Sequence, residues 1–130
     1  MIVVDASVVA SALGDDGPAG ERARGRLAGE RLVAPQLLDL EVASVWRRFV
    51  RAGRLDDDRA VQALEDLHLL PLERVRHDPL MPRIWELRQN FTCYDAAYVV
   101  VAEALEVPLV TADAALSRAP GVSCDIELLA

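Results

Sequence analysis

The 130-residue chain contains no lysine; all 14 of its basic residues are arginine. That absence removes P-loop phosphate binding, Schiff-base catalysis and receiver-type phosphotransfer, each of which needs a lysine amine. Cysteine is scarce as well. Cys93 and Cys124 fit no metal spacing and build no disulfide framework, so reduced thiols in a cytoplasmic protein are expected. His68 and His77 stand alone, without zinc-ligand spacing, and read as structural or surface groups. No apolar run approaches the roughly 20 residues of a membrane span, and "MIVVDAS" has no basic segment of the kind that opens a secretory leader. Net positive charge is also missing. A formal charge of −7 argues against attachment to nucleic acid through a broad basic surface.

What the chain does have is apolar residues, at 52%, which excludes a disordered class. Its length suits one domain covering residues 1–130. Ile2 to Val4 reads as a buried strand that delivers Asp5 at its end. "SVVASAL" reads as a helix, "GDDGPAG" as a loop, "ERARGRLAGE" as a short polar helix and "RLVAP" as a weak strand. "QLLDLEVASVWRRFVRAG" predicts a helix with Leu38, Val42, Val45, Trp46 and Phe49 on one stripe and Glu41 mid-helix at its margin. A second helix over 56–70 suggests a hairpin projecting from the sheet layer. "PLERV" is a further strand, followed by a helix from Met81 and another over 92–106. "VPLVTA" is a buried strand, "DAALSRA" a short helix and "VSCDIELL" an edge strand. Strands alternating with helices predict a three-layer α/β/α fold around a mainly parallel sheet.

The chain has 21 acidic residues, so position matters more than number. Asp15, Asp16, Asp56–Asp58, Glu65, Asp66, Glu73 and Glu86 fall in loops or on polar faces and read as solvated. Four acids sit against the apolar pattern. Asp5 and Asp113 follow buried strands, where open α/β sheets place their ligands. Asp95 shares a helical face with Tyr98, Val99 and Ala102. Glu41 lies between Leu37, Leu38 and Val45. Helix capping accounts equally well for Asp5, Asp113 and the Thr92–Asp95 pair, but not for Glu41. If the four converge, they require a cation, since two carboxylates 4 Å apart repel by about 4 kcal/mol at an effective dielectric near 20. Oxygen ligands favour Mg²⁺ or Mn²⁺, and such a site points to phosphoryl chemistry.

"MIVVDAS", "EVASVWRR", "TCYDAAYVVVAEAL" and "PLVTADAAL", in that order from Met1 to about Leu116, resemble a PIN domain, in particular the VapC-type ribonuclease toxins of bacterial toxin–antitoxin pairs. The resemblance implies Mg²⁺- or Mn²⁺-dependent endonucleolytic cleavage of RNA that leaves a 5′-phosphate and a 3′-hydroxyl. It implies a small VapB-like antitoxin as partner. It assigns Asp5, Glu41, Asp95 and Asp113 as the metal-holding catalytic quartet, with Ser7 and Thr111 orienting carboxylates or water. Backbone hydrogen bonding is an equal alternative for that serine and threonine. Arg47 and Arg48 are candidates for substrate phosphates, with a solvated helix face as the alternative. Trp46 and Trp85 fit apolar stripes, in the core or at an interface, and the "WRRFV" segment leaves room for a homodimer. Two other readings stay open: a PIN-like nuclease of RNA maturation, and a non-catalytic module that binds a metal or partner. A haloacid dehalogenase-like phosphatase is disfavoured, because Ser7 stands where that family needs its second aspartate.

Overall fold

The computed structural model describes residues 1–129. Five parallel strands form one sheet: β1 (Ile2–Val4), β2 (Leu32–Pro35), β3 (Leu72–Val75), β4 (Leu109–Thr111) and β5 (Ile126–Leu128), in the order β3-β2-β1-β4-β5. Seven helices connect them: α1 (Ala6–Gly14), α2 (Pro18–Leu27), α3 (Leu38–Arg51), α4 (Asp57–Leu69), α5 (Met81–Glu86), α6 (Cys93–Leu105) and α7 (Ala114–Arg118). This is the expected three-layer α/β/α arrangement. Parallel pairing demands a crossover between strands, and the helices supply it. β1, β2 and β4 are buried along their whole length, which explains their unbroken apolar runs.

Helices α1 to α4 pack on one another as one layer, and α6, backed by α5, packs against β1, β2 and β4. The two layers have different patterns for a physical reason. α3 has one buried stripe, Leu38, Val42 and Trp46, and a charged outer face. α6 is buried continuously from Ala96 to Ala102, because it lies at the middle of the sheet with little surface of its own.

Several expectations are corrected. "RLVAP" is no weak strand; it is buried between β1 and β3 and pairs with both. Pro18 belongs to α2 and not to a loop, at the first helical position, where its missing N–H costs nothing. The α3–α4 hairpin does not project; α4 packs on both α1 and α3 through Ala63 and Leu67. Phe49 is exposed, and the Arg54 guanidinium sits 5.0 Å from its ring centroid. Trp46 is a core residue, but Trp85 is exposed beneath the Arg88 guanidinium, 4.6 Å from its ring.

Trp46 ties the site-bearing elements together. Its indole Nε1 donates to the Ala10 carbonyl of α1 at 3.1 Å. A side chain at Gly14 would collide with the indole, so α3 approaches α1 closely only because position 14 is glycine.

Candidate active site

Every strand points its C-terminal end at the same sheet edge, and the order reverses between β1 and β4, with β2 and β3 on one side and β5 on the other. In a doubly wound sheet a crevice opens at that reversal. Asp5 leaves β1 and Asp113 follows β4 at this point. Helices that return between parallel strands begin at the same edge, which brings the starts of α3 and α6 there. Glu41 is therefore not mid-helix; it lies in the first turn of α3. Asp95 lies in the first turn of α6. Acids in these positions also favour the helix dipole.

All four carboxylates line one cavity of about 490 Å³. Leu37, just before α3, and Leu40, Glu41, Ser44, Val45 and Arg48 along one face of α3 contribute to its wall, together with Tyr94 of α6. Arg48 is the basic residue among the lining side chains, whereas Arg47 is exposed on the same helix outside the cavity. A second cavity, about 340 Å³, shares Asp95 and Asp113 with the first and is lined further by Arg88, Gln89 and Asn90.

The four acids are held differently. Asp5 is the N-cap residue of α1 but makes no capping bond with its side chain. Its Oδ2 instead accepts from Ser7 Oγ at 2.6 Å and Thr111 Oγ1 at 2.8 Å. Ser7 and Thr111 in turn accept from the backbone amides of Ala112 and Asp113, so the ends of β1 and β4 are cross-linked through the carboxylate. Asp113 does cap its helix, its Oδ1 accepting from Ala115 and Leu116 N–H, and it is exposed where partial burial was expected. In the Thr92–Asp95 pair the cap runs from threonine: Thr92 Oγ1 accepts the Asp95 N–H at 3.1 Å. Glu41 is half-buried. Its Oε1 has no hydrogen-bond partner in the protein, and neither has the Tyr98 hydroxyl, whose influence reaches it without ordinary hydrogen-bond geometry.

Burial and repulsion dominate the electrostatics. Burial, then the charges of Asp5 and Asp95, raises the Glu41 carboxyl above its ordinary value, against a lowering influence of Tyr98. Burial, then Asp5 and Asp113, raises Asp95, with Thr92 opposing. No arginine forms a salt bridge with any of the four among the described residues, although Asp16, Asp39, Glu73, Asp78, Glu86, Glu103 and Glu127 all hold one. No three acidic, histidine or cysteine side chains among the described residues form a ready-made metal cage. Cys93 and Cys124 are unpaired, and burial pushes the Cys124 thiol up to about 11, away from nucleophilic use. Among the described residues no helix is long and apolar enough to cross a membrane.

A model of the PIN domain matches residues 2–122. The chain belongs to the PIN-domain family. This PIN-domain chain is 43% identical over 128 residues to Ribonuclease VapC1 of Mycobacterium tuberculosis, the match covering 98% of it and 96% of the relative. It is likewise 43% identical over 129 residues to Ribonuclease VapC9 of the same organism, covering 99% and 98%. Among solved structures, PAE2754 from Pyrobaculum aerophilum superposes with a TM-score of 0.68 at 25% identity, covering 89% of this chain and 82% of the other. Mycobacterium tuberculosis VapC20 shares the fold with a TM-score of 0.68 at 19% identity, covering 90% and 93%.

The residues that sequence reasoning passed over are Tyr94, Tyr98 and Arg88. Tyr98 had a signal, since a tyrosine one turn after Asp95 inside an apolar helix strands a hydroxyl. Arg88 had none; it meets the site only through folding.

Proposed function

We propose that this PIN-domain protein is a divalent-metal-dependent endoribonuclease, the toxin of a VapBC-type pair, acting as one domain. The observation that carries the reading is the cavity where carboxylates from four separate segments meet, with no salt bridge to arginine among the described residues. The ribonuclease names of its relatives support it.

The donor set fits a hard cation. Glu41 Oε1 is a buried acceptor without a protein partner, and two of the four carboxyls are raised by burial and then by the charges of their neighbours, which a cation would offset. Held by Asp5, Glu41, Asp95 and Asp113, Mg²⁺ or Mn²⁺ would offset the phosphate charge and lower the pKa of an attacking water. Ser7 and Thr111 orient Asp5, and the Ala115 and Leu116 amides orient Asp113. Arg48 meets the incoming phosphate backbone on one side of the Asp95–Asp113 divide, and Arg88 receives the strand in the second cavity. In-line hydrolysis would leave a 5′-phosphate and a 3′-hydroxyl.

The test is a cleavage-site map of total RNA with the purified protein in Mg²⁺ or Mn²⁺. Defined cuts that disappear in EDTA are expected; cuts that persist in EDTA would refute the metal dependence. A VapB-like antitoxin is the partner expected to suppress those cuts. A second copy of the chain is a further candidate partner, and a monomeric mass in light scattering would count against it.

A further inference from the structure

Tyr98 lies one turn beyond Asp95 on α6 and is fully buried, its ring part of the core against the sheet. Its hydroxyl has no hydrogen-bond partner in the protein, and neither has Glu41 Oε1, the acceptor whose carboxylate it influences. A phenylalanine would fill the same space without stranding a polar atom, so packing alone does not account for the oxygen. A phenol keeps its proton at neutral pH, so the hydroxyl is a donor.

The neighbouring carboxylates show what a donor does here. Asp5 is oriented by Ser7 and Thr111, and Asp113 by two backbone amides. Glu41 is the longest of the four side chains, with the most rotamers to lose, and it has no such support. Carboxylates that ligate metals are as a rule themselves hydrogen-bonded by their neighbours.

We propose that Tyr98 is a positioning residue for the divalent-cation site: its hydroxyl donates to Glu41 Oε1 and so turns Oε2 toward the cation. This rests on the metal-dependent reading above. The hydroxyl makes no hydrogen bond in the metal-free protein and takes up Glu41 when the cation draws its carboxylate into line.

The experiment compares the parent, Tyr98→Phe, Glu41→Gln and the double variant by Mn²⁺ titration calorimetry, together with thermal midpoints in EDTA. Tyr98→Phe is expected to bind Mn²⁺ about 10- to 100-fold more weakly. Its metal-free midpoint should equal or exceed the parent's, because the change removes a stranded hydroxyl. The double variant should bind no worse than Glu41→Gln alone, since the hydroxyl acts through that carboxylate. Parent-like Mn²⁺ affinity in Tyr98→Phe overturns the proposal, as does additive weakening in the double variant. A lowered metal-free midpoint also overturns it, by making the hydroxyl structural. A parent that binds no Mn²⁺ overturns the metal reading itself, and this proposal with it; the two failures are distinguished by which protein gives the flat titration.

Discussion

Asp95 and Glu103 are both carboxylates on α6, eight residues or about 12 Å apart, and their surroundings are opposite. Burial raises both. At Glu103 the Arg83 guanidinium, paired through Nε at 3.0 Å and Nη2 at 3.0 Å, and the Ser123 N–H at 2.7 Å outweigh burial, so the carboxyl ends below its ordinary value. At Asp95 the neighbours are Asp5 and Asp113, which add to burial, and the carboxyl ends above it. One end of the helix is a finished structural pair. The other is an unfinished one: Asp95 faces like charges and has no salt bridge to arginine among the described residues.

The widest separation between the two ends should come from neutralising each acid. Asp95→Asn should reduce RNA cleavage to background in a gel assay, with a thermal midpoint at or above the parent's, because the change relieves repulsion. Cleavage at the parental rate would remove Asp95 from the site. Glu103→Gln should do the reverse, keeping cleavage while lowering stability.

Breaking the paired end from the other side gives a smaller effect. Arg83→Met strands Glu103 and should cost about 1–3 kcal/mol in urea unfolding. The two ends should also respond oppositely to pH. The depressed Glu103 carboxyl contributes stability that is present above its unfolded value and lost as pH falls through its folded value. Glu41 and Asp95, being raised, bind protons more readily in the folded state. Their contribution is full below the unfolded value and is lost as pH rises through the raised one. Thermal scans of the metal-free parent and of Asp95→Asn should therefore diverge as pH rises toward neutrality. Mn²⁺ at 100 times its dissociation constant should restore about 2.7 kcal/mol to the parent. A parent midpoint indifferent to Mn²⁺ would break the comparison.

The smallest effect is expected at Arg88, beside the second cavity. Arg88→Ala should weaken RNA binding a few-fold, measured in Ca²⁺ to suppress cleavage, and reduce the salt slope by about 1. An unchanged slope would mean that the strand leaves the site another way.

Most of the fold was legible because its buried strands are short, continuous apolar runs and its helices have clear starts and stops. "IVV" and "PLVT" could hardly be anything but interior strands. The errors came where a residue's setting depends on neighbours distant in the chain. "RLVAP" looked weak because four residues cannot announce that they lie between two other strands. Phe49 looked internal, and Trp85 looked like a core or interface residue, because their hydrophobicity is local, whereas the arginines that cover them are decided by packing. The four acids stood out against the apolar pattern, yet the capping alternative separated only with side-chain positions: Asp113 caps its helix, and the Asp5 side chain does not.

By itself, the sequence determined the secondary-structure order and most of the burial pattern, and it placed Asp5, Asp95 and Asp113 at strand ends or a helix start, because those follow from local periodicity and charge; Glu41 stood out against its apolar neighbours but read as mid-helix. Tertiary structure alone decided that the acids share one cavity, that none of them has a salt bridge to arginine among the described residues, and that Glu41 faces a buried tyrosine. Those facts depend on the strand order reversing between β1 and β4 and on α3 seating against α1 at Gly14, contacts made between segments that no local pattern connects.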